Sequence, residues 1–251
     1  MNGRALLEGV AGHRWLQSLR FTEDLATPGL TPETQSHAEE MALLDPLNLT
    51  GAHVLEVGAA NGAFSFAALR RGAGRVLATD HLAWMLPGSD AMQATQWAAR
   101  ALAAPLDVAM MDPRELAPRN GTFDVVLATA FFERAFNPIQ ALRGLRNVTG
   151  RVLLIETLHD GLGDARPMML VHNRHWPIGG PEGTWVAGWA PNPPLVLQLL
   201  HDLGFDRILY RDHPVLGSAR GMYAALLPDT PQGVLAGFGP PWISMTQPRP
   251  G

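Results

Sequence analysis

Two carboxylates and a run of small residues carry the chemistry legible in this chain. Glu56 is followed by Gly58, Ala59, Ala60, Asn61 and Gly62. Small residues there let a ligand approach the backbone closely. A carboxylate two residues before Gly58 would repel a pyrophosphate and suits a cationic ligand. Asp80 stands about two dozen residues further on, at the distance where an acid accepts hydrogen bonds from both hydroxyls of a ribose. Together they describe a site for a positively charged nucleoside. The same pattern also fits an ordinary strand–helix turn, with Asp80 as a helix cap.

S-adenosylmethionine (SAM), with its ammonium and sulfonium groups, meets that description. The dinucleotide fingerprint G-x-G-x-x-G requires glycines at 58, 60 and 63, where this chain has Gly58, Ala60 and Ala63. An NAD-dependent oxidoreductase is therefore disfavoured.

The elements must place both acids at one end of a sheet. Val54, Leu55 and Val57 give a buried strand before the turn, and Phe64, Phe66 and Leu69 a helix after it. Further strands are expected at 75–79, 106–111, 123–128, 151–156, 205–210 and 222–227, with helices at 91–103, 138–148 and 191–203. The last two strands form an antiparallel hairpin at the sheet edge. An apolar stripe of Leu6, Leu7, Val10, Trp15, Leu16 and Leu19 predicts a helix over 1–20, either a lid or a packing element. Thr31-Pro32-Glu33 predicts a helix start, with Thr31 as N-cap, running to Leu44. The expected organisation is a helical cap over 1–50, a ligand-binding domain over 51–228 and a Pro/Gly-rich tail over 229–251, extended or pinned by Phe238 and Trp242. A turn-rich insertion over 157–190 interrupts the α/β rhythm as a substrate lid.

Composition narrows the classes. At 251 residues the chain is one domain with appendages, and 47% hydrophobic residues allow a full core. No apolar run is long enough to span a bilayer, and no basic-then-apolar leader precedes the domain, so a cytoplasmic location is expected. There are no cysteines, and all 19 basic residues are arginine. Cysteine nucleophiles, thiolate metal sites and lysine Schiff bases are excluded. The net charge of −4 and scattered arginines argue against a nucleic-acid partner. No ligand-spaced acid and histidine cluster suggests a metal.

The segment Glu56-x-Gly-x-Ala-x-Gly62 resembles the first motif of class I SAM-dependent methyltransferases, acid-x-Gly-x-Gly-x-Gly, with Ala60 replacing the middle glycine. Later phrases, Arg70-Arg-Gly-Ala73, Phe131-Phe-Glu-Arg-Ala-Phe-Asn-Pro138, Leu154-Ile-Glu-Thr157 and Pro191-Asn-Pro-Pro-Leu195, resemble the small-molecule relatives of the tRNA wobble-uridine carboxymethyltransferases. The tRNA enzymes carry an aromatic hydroxyl and a histidine where this chain has Phe132 and Glu133. That departure favours plain methyl transfer over carboxymethylation.

The resemblance implies a Rossmann-like, mostly parallel seven-stranded sheet with an antiparallel last strand. It implies SAM as methyl donor, S-adenosylhomocysteine (SAH) as product, no metal and possible homodimers. Glu56, Gly58, Ala59, Ala60, Asn61, Gly62, Asp80, His81, Met111, Asp112, Ala130 and Phe131 are the expected cofactor residues. Asp112 would take the adenine amino group, or serve as a turn residue before a helix. Glu133, His159, His172 and His175 are candidate proton acceptors, since histidine titrates near neutrality. Phe132, Arg134, Arg174, Trp176, Trp185 and Trp189 are candidate contacts to a small, planar or aromatic acceptor of secondary metabolism. A tRNA-modifying enzyme and a non-catalytic SAM-binding protein are the remaining alternatives.

Overall fold

The computed structural model describes residues 3–22, 24–171, 188–235 and 237–245. Its centre is an eight-stranded sheet of β1 (His53–Val57), β2 (Arg75–Asp80), β3 (Leu106–Met110), β4 (Phe123–Ala128), β5 (Thr149–Leu158), β6 (Arg207–His213), β7 (Gly217–Leu226) and β8 (Ile243–Met245), in the order β8-β6-β7-β5-β4-β1-β2-β3. The first five run parallel. β7 lies antiparallel between β5 and β6, and β8 pairs antiparallel with β6. Strand order reverses between β1 and β4, which is where open α/β sheets bind ligands.

Alternation along the strands builds two cores. Leu55, Val57, Val126, Ala128, Leu153, Ile155 and Tyr223 face one side, against helices α7 (Pro138–Val148) and α8 (Pro193–Asp202). Val54, Val125, Leu127, Val152, Leu154 and Met222 face the other, against α2 (Glu33–Leu44) and α3 (Ala63–Arg70). The period of two, apolar on both faces, is what a strand covered by helices on each side requires. Each fully buried leucine contributes about 1.5–3 kcal/mol by leaving water.

The structure revises four expectations. The first helix, α1, covers only Gly3–Ala11, and Trp15, Leu16 and Leu19 lie in irregular chain beyond it. Trp15 and Leu19 are nonetheless buried, against Phe66, Ala94 and Ala98 of α3 and of α5 (Ala91–Ala101), which follows the short α4 (Leu82–Met85). The apolar spacing reports burial, but the chain turns after Gly12 instead of continuing as a helix. Pro32, not Thr31, occupies the N-cap of α2, without a side-chain hydrogen bond. The tail adds β8, so the β6–β7 hairpin is not the sheet edge; Phe238 and Trp242 are buried against the second core. The insertion contains a short antiparallel pair, Met169–Val171 with Trp189–Pro191.

Candidate active site

The turn after β1 is held in a conformation that side chains resist. Gly58, Ala60 and Gly62 have φ of 77°, 47° and 77°. Ala60, at the position that departs from the glycine pattern, is fixed by three bonds. Its amide donates to Asp80 Oδ2 at 2.9 Å. Its carbonyl accepts from Trp84 Nε1 at 2.7 Å and from Thr95 Oγ1 at 3.1 Å. Ala59 is fully buried beside it. Asn61, also fully buried, accepts from the Leu16 amide at 2.6 Å. Gln17 Oε1 accepts from the Ala63 amide at 3.3 Å. Residues 14–17 thus lie across the turn.

Asp80 is 3% exposed, and its second oxygen accepts from the Ala83 amide at 2.9 Å. A carboxylate offers about four acceptor positions, so two remain for a ribose diol. Glu56 is 2% exposed, and its Oε2 accepts from the Ser65 amide at 2.8 Å and from the Ser65 hydroxyl. Its Oε1 is buried with no hydrogen-bond donor among the described residues. Burial pushes the Glu56 carboxyl up to about 7, against the opposing bonds from Ser65. A buried acceptor without a donor is costly, and a ligand ammonium would satisfy it. The cradle of positive-φ residues and this orphaned oxygen fit SAM.

His81 and Asp112 flank the end of β2, with Nε2 to Oδ2 at 3.8 Å. Asp112 caps the turn Pro113–Glu115 by accepting from the Arg114 amide at 2.9 Å, and it also binds the Arg114 guanidinium. Burial works against its charge, but the bonds from Arg114 hold its carboxyl below the usual range. Its geometry is that of the turn residue. Met111 is half-buried, packs against the first core and donates its amide to the Asp80 carbonyl at 3.2 Å.

The loop after β4 makes the short helix α6 (Phe131–Arg134). Ala130 precedes it with φ of 51°, its amide donating to Glu156 Oε2 at 2.9 Å. Phe131 and Phe132 pack edge to face at 5.1 Å within the first core, and Phe132 is fully buried. A substrate-facing Phe132 is therefore not what this geometry gives: one turn of helix directs it inward.

Glu133 is also buried. It accepts from Thr157 Oγ1 at 2.8 Å and from the Leu158 amide at 3.3 Å, and it pairs with Arg220. Arg220 pairs with Glu156 as well, so one guanidinium bridges two buried carboxylates. Burial alone would lower the Arg220 pKa, but the two carboxylates raise it above its ordinary value. Neither Glu156 nor Arg220 stood out in sequence as a site residue. Glu156 alone left a trace, as the only charged residue between two apolar stretches at the end of the fifth strand.

His159 is buried, stacked on Tyr210 at 6.0 Å and bonded through Nε2 to the Tyr223 hydroxyl at 2.7 Å. Burial pushes its pKa down to about 4. Gly221 must be glycine here, because a methyl group would stand 2.1 Å from His159 Cε1. Trp189 is half-buried, its Nε1 donating to the Phe136 carbonyl at 3.4 Å. His172, Arg174, His175, Trp176 and Trp185 lie outside the described residues.

A cavity of about 720 Å³ opens beside this loop. Thr129, Ala130, Arg134, Glu156 and Arg220 form one wall, and Leu16–Thr22 with the first turns of α2 form the other. Among the described residues no cluster of acids and histidines could hold a metal ion, and no helix is long and apolar enough to cross a membrane.

Residues 55–151 match the methyltransferase domain family. No curated protein matches the sequence. Among solved structures, the N-terminal domain of EvdMO1 in the presence of SAH and D-fucose superposes with a TM-score of 0.65 at 18% identity, covering 90% of this chain and 96% of that one. Magnesium protoporphyrin IX methyltransferase (ChlM) from Synechocystis PCC 6803 with bound SAH gives 0.56 at 18% identity, over 77% and 83%. An S-adenosylmethionine dependent methyltransferase from Mesorhizobium loti gives 0.53 at 20% identity, over 75% and 97%. At these identities the likeness establishes the fold.

Proposed function

We propose that the chain is a SAM-dependent methyltransferase that transfers a methyl group to an O, N or C nucleophile of a small, planar or aromatic metabolite. The observation that carries the reading is the cavity. It meets the turn after β4, next to the cofactor cradle, and its volume is that of a small-molecule site. Phe21 and Phe64 on its wall suit a flat acceptor.

SAM supplies a methyl carbon already activated by the adjacent sulfonium. What the protein adds is alignment and exclusion of water. Asp80 would hold the ribose hydroxyls and Glu56 the ammonium of the cofactor. Ala130, held by Glu156, sets the floor of the acceptor cavity. No general base is assigned. Glu133 is occupied by Arg220 and Thr157, and His159 by Tyr223. An acceptor that presents a lone pair, or that loses its proton to water, fits these groups. The phrases shared with small-molecule relatives of the tRNA carboxymethyltransferases support the same choice of acceptor.

Calorimetry with SAM, followed by methyl transfer from labelled SAM to a panel of phenols, amines and heteroaromatic acids, tests the reading. Binding with turnover on at least one small acceptor is expected. Transfer to tRNA alone, or tight SAM binding with no transfer to any acceptor, would overturn it.

A further inference from the structure

α2 begins as a polar helix. From Glu33 to Glu40 it carries no apolar side chain larger than alanine, and its buried residues are Ala42, Leu43 and Leu44. A helix on a globular core normally packs an apolar stripe, and the first two turns of α2 have none to pack. They front the cavity instead, with Glu33, Gln35, Glu39 and Glu40 on its wall.

Most carboxylates on that wall meet arginine. Glu33 pairs with Arg20, Glu40 with Arg70 and Arg71, and Glu156 with Arg220. Glu39 differs. Its Oε1 accepts from Gln35 Nε2 at 2.8 Å and from His213 Nε2 at 2.8 Å. Nδ1 of the same imidazole accepts from the amides of Val215 and Leu216 at 3.1 and 3.0 Å. A ring nitrogen that accepts carries no proton, so His213 is neutral and gives its one ring hydrogen to Glu39. Both donors to Glu39 are therefore uncharged, and no cation among the described residues offsets the carboxylate. Its Oε2 makes no hydrogen bond among the described residues.

The support is firm. The His213 side chain is fully buried at the bend between β6 and β7, and the Glu39 side chain is 17% exposed. Two donors on Oε1 set the plane of the carboxylate and leave Oε2 for a ligand. A few placed polar groups of this kind are what orient a molecule in a small-ligand site.

We infer that Glu39, positioned by His213, holds a cationic nitrogen of the acceptor, so that the acceptor is a flat molecule bearing an ammonium group. The inference rests on the methyltransferase reading above. Glu39 stands on the wall opposite the turn after β4. The ammonium is thus a handle, and the methylated atom lies at the other end of the molecule.

The test is calorimetry on the SAH-loaded protein with matched trios: tyramine, p-cresol and 4-hydroxyphenylacetate, then tryptamine, 3-methylindole and indole-3-acetate. At least one amine should bind about tenfold or more tighter than both its neutral and its acidic counterpart, as one charge-assisted pair provides. Glu39→Gln keeps an oxygen for Gln35 and His213 but removes the charge. It should bring that amine within about threefold of its neutral counterpart. His213→Phe removes the donor that orients Glu39, and should lower the ratio of amine to neutral affinity while sparing the neutral ligand. No amine preferred by the wild type, a preference that survives Glu39→Gln, or an equal loss of all three ligands in that variant would each overturn the inference. A wild-type protein that does not bind SAH would instead remove the methyltransferase reading itself.

Discussion

Glu156 accepts a 2.9 Å hydrogen bond from the amide of Ala130, a residue whose φ of 51° side chains disfavour. The same arrangement recurs at the end of β1, where Asp80 accepts from the amide of Ala60, φ 47°. Both turns end strands at the carboxyl side of the sheet, and both use an alanine where glycine would be unstrained. Such a residue costs about 1 kcal/mol or more. In each case a buried carboxylate on a neighbouring strand holds it. One acid holds the turn after β1 and the other the turn after β4, so both are shaped by one device.

Ala60→Gly restores the missing glycine of the motif. Relief of left-handed strain is offset by about 0.4–1 kcal/mol of added unfolded-state entropy. Urea unfolding should place this variant within about 1 kcal/mol of wild type. Ala60→Val puts a β-branched side chain at the same φ, and should cost more than about 2 kcal/mol. Equal stability of Val and Gly variants would mean that Ala60 is not held as described.

Arg220→Met leaves Glu133 and Glu156 buried together without their cation. Breaking a buried pair by removing one partner costs about 3–5 kcal/mol. Urea unfolding should show that deficit, and adding Glu133→Gln and Glu156→Gln should recover much of it. A deficit that the two added substitutions leave unchanged would show that packing, not charge, is what Arg220 supplies.

The placement of the turn after β1 was legible because strand and turn chemistry is local. Glu56, the glycines around it and Asp80 are named by spacing alone, and the structure brings them to one end of the sheet. Arg220 could not be named in the same way. Its partners Glu133 and Glu156 are 87 and 64 positions away, and only the antiparallel insertion of β7 beside β5 joins them. Phe132 misled for a similar reason: a loop residue read as exposed is turned into the core by one turn of helix. β8 left no signal either, because three residues, Ile243-Ser-Met245, carry no period.

Glu56→Gln separates function from stability. Burial raises the wild-type carboxyl from 4.5 to about 7, so the folded protein binds a proton there more tightly than the unfolded chain. Its stabilising contribution is full below pH 4.5 and is lost as pH rises through 7, a span of about 3 kcal/mol. Relative to wild type, the variant should therefore gain stability between pH 5 and pH 8 in the absence of ligand. It should also lose most of its SAM affinity, while wild-type affinity should climb over the same pH range as Glu56 ionises. Parallel pH profiles of stability in the two proteins would refute the raised carboxyl.

Glu133→Gln keeps the shape of the side chain and removes its charge. With Arg220, Thr157 and the Leu158 amide on its oxygens, Glu133 is a support for the guanidinium. Melting temperature should fall, and kcat should stay within about tenfold of wild type. A fall of about a thousandfold in kcat with unchanged melting would assign proton transfer to Glu133.

Asn61→Ala asks whether the chain beyond α1 is a lid. Asn61 is fully buried, accepts from the Leu16 amide at 2.6 Å and donates to the Arg14 carbonyl at 3.4 Å. These bonds tie residues 14–17 to the turn after β1, and the adjoining Leu16–Thr22 segment lines the cavity. Without Asn61 the Leu16 amide loses its acceptor, so amide exchange over 14–19 should quicken. If the segment gates the cofactor, stopped-flow release of SAM should be faster by about tenfold with little change in association. Unchanged release alongside faster exchange would make the segment a packing element, with the buried Trp15 and Leu19 as its purpose.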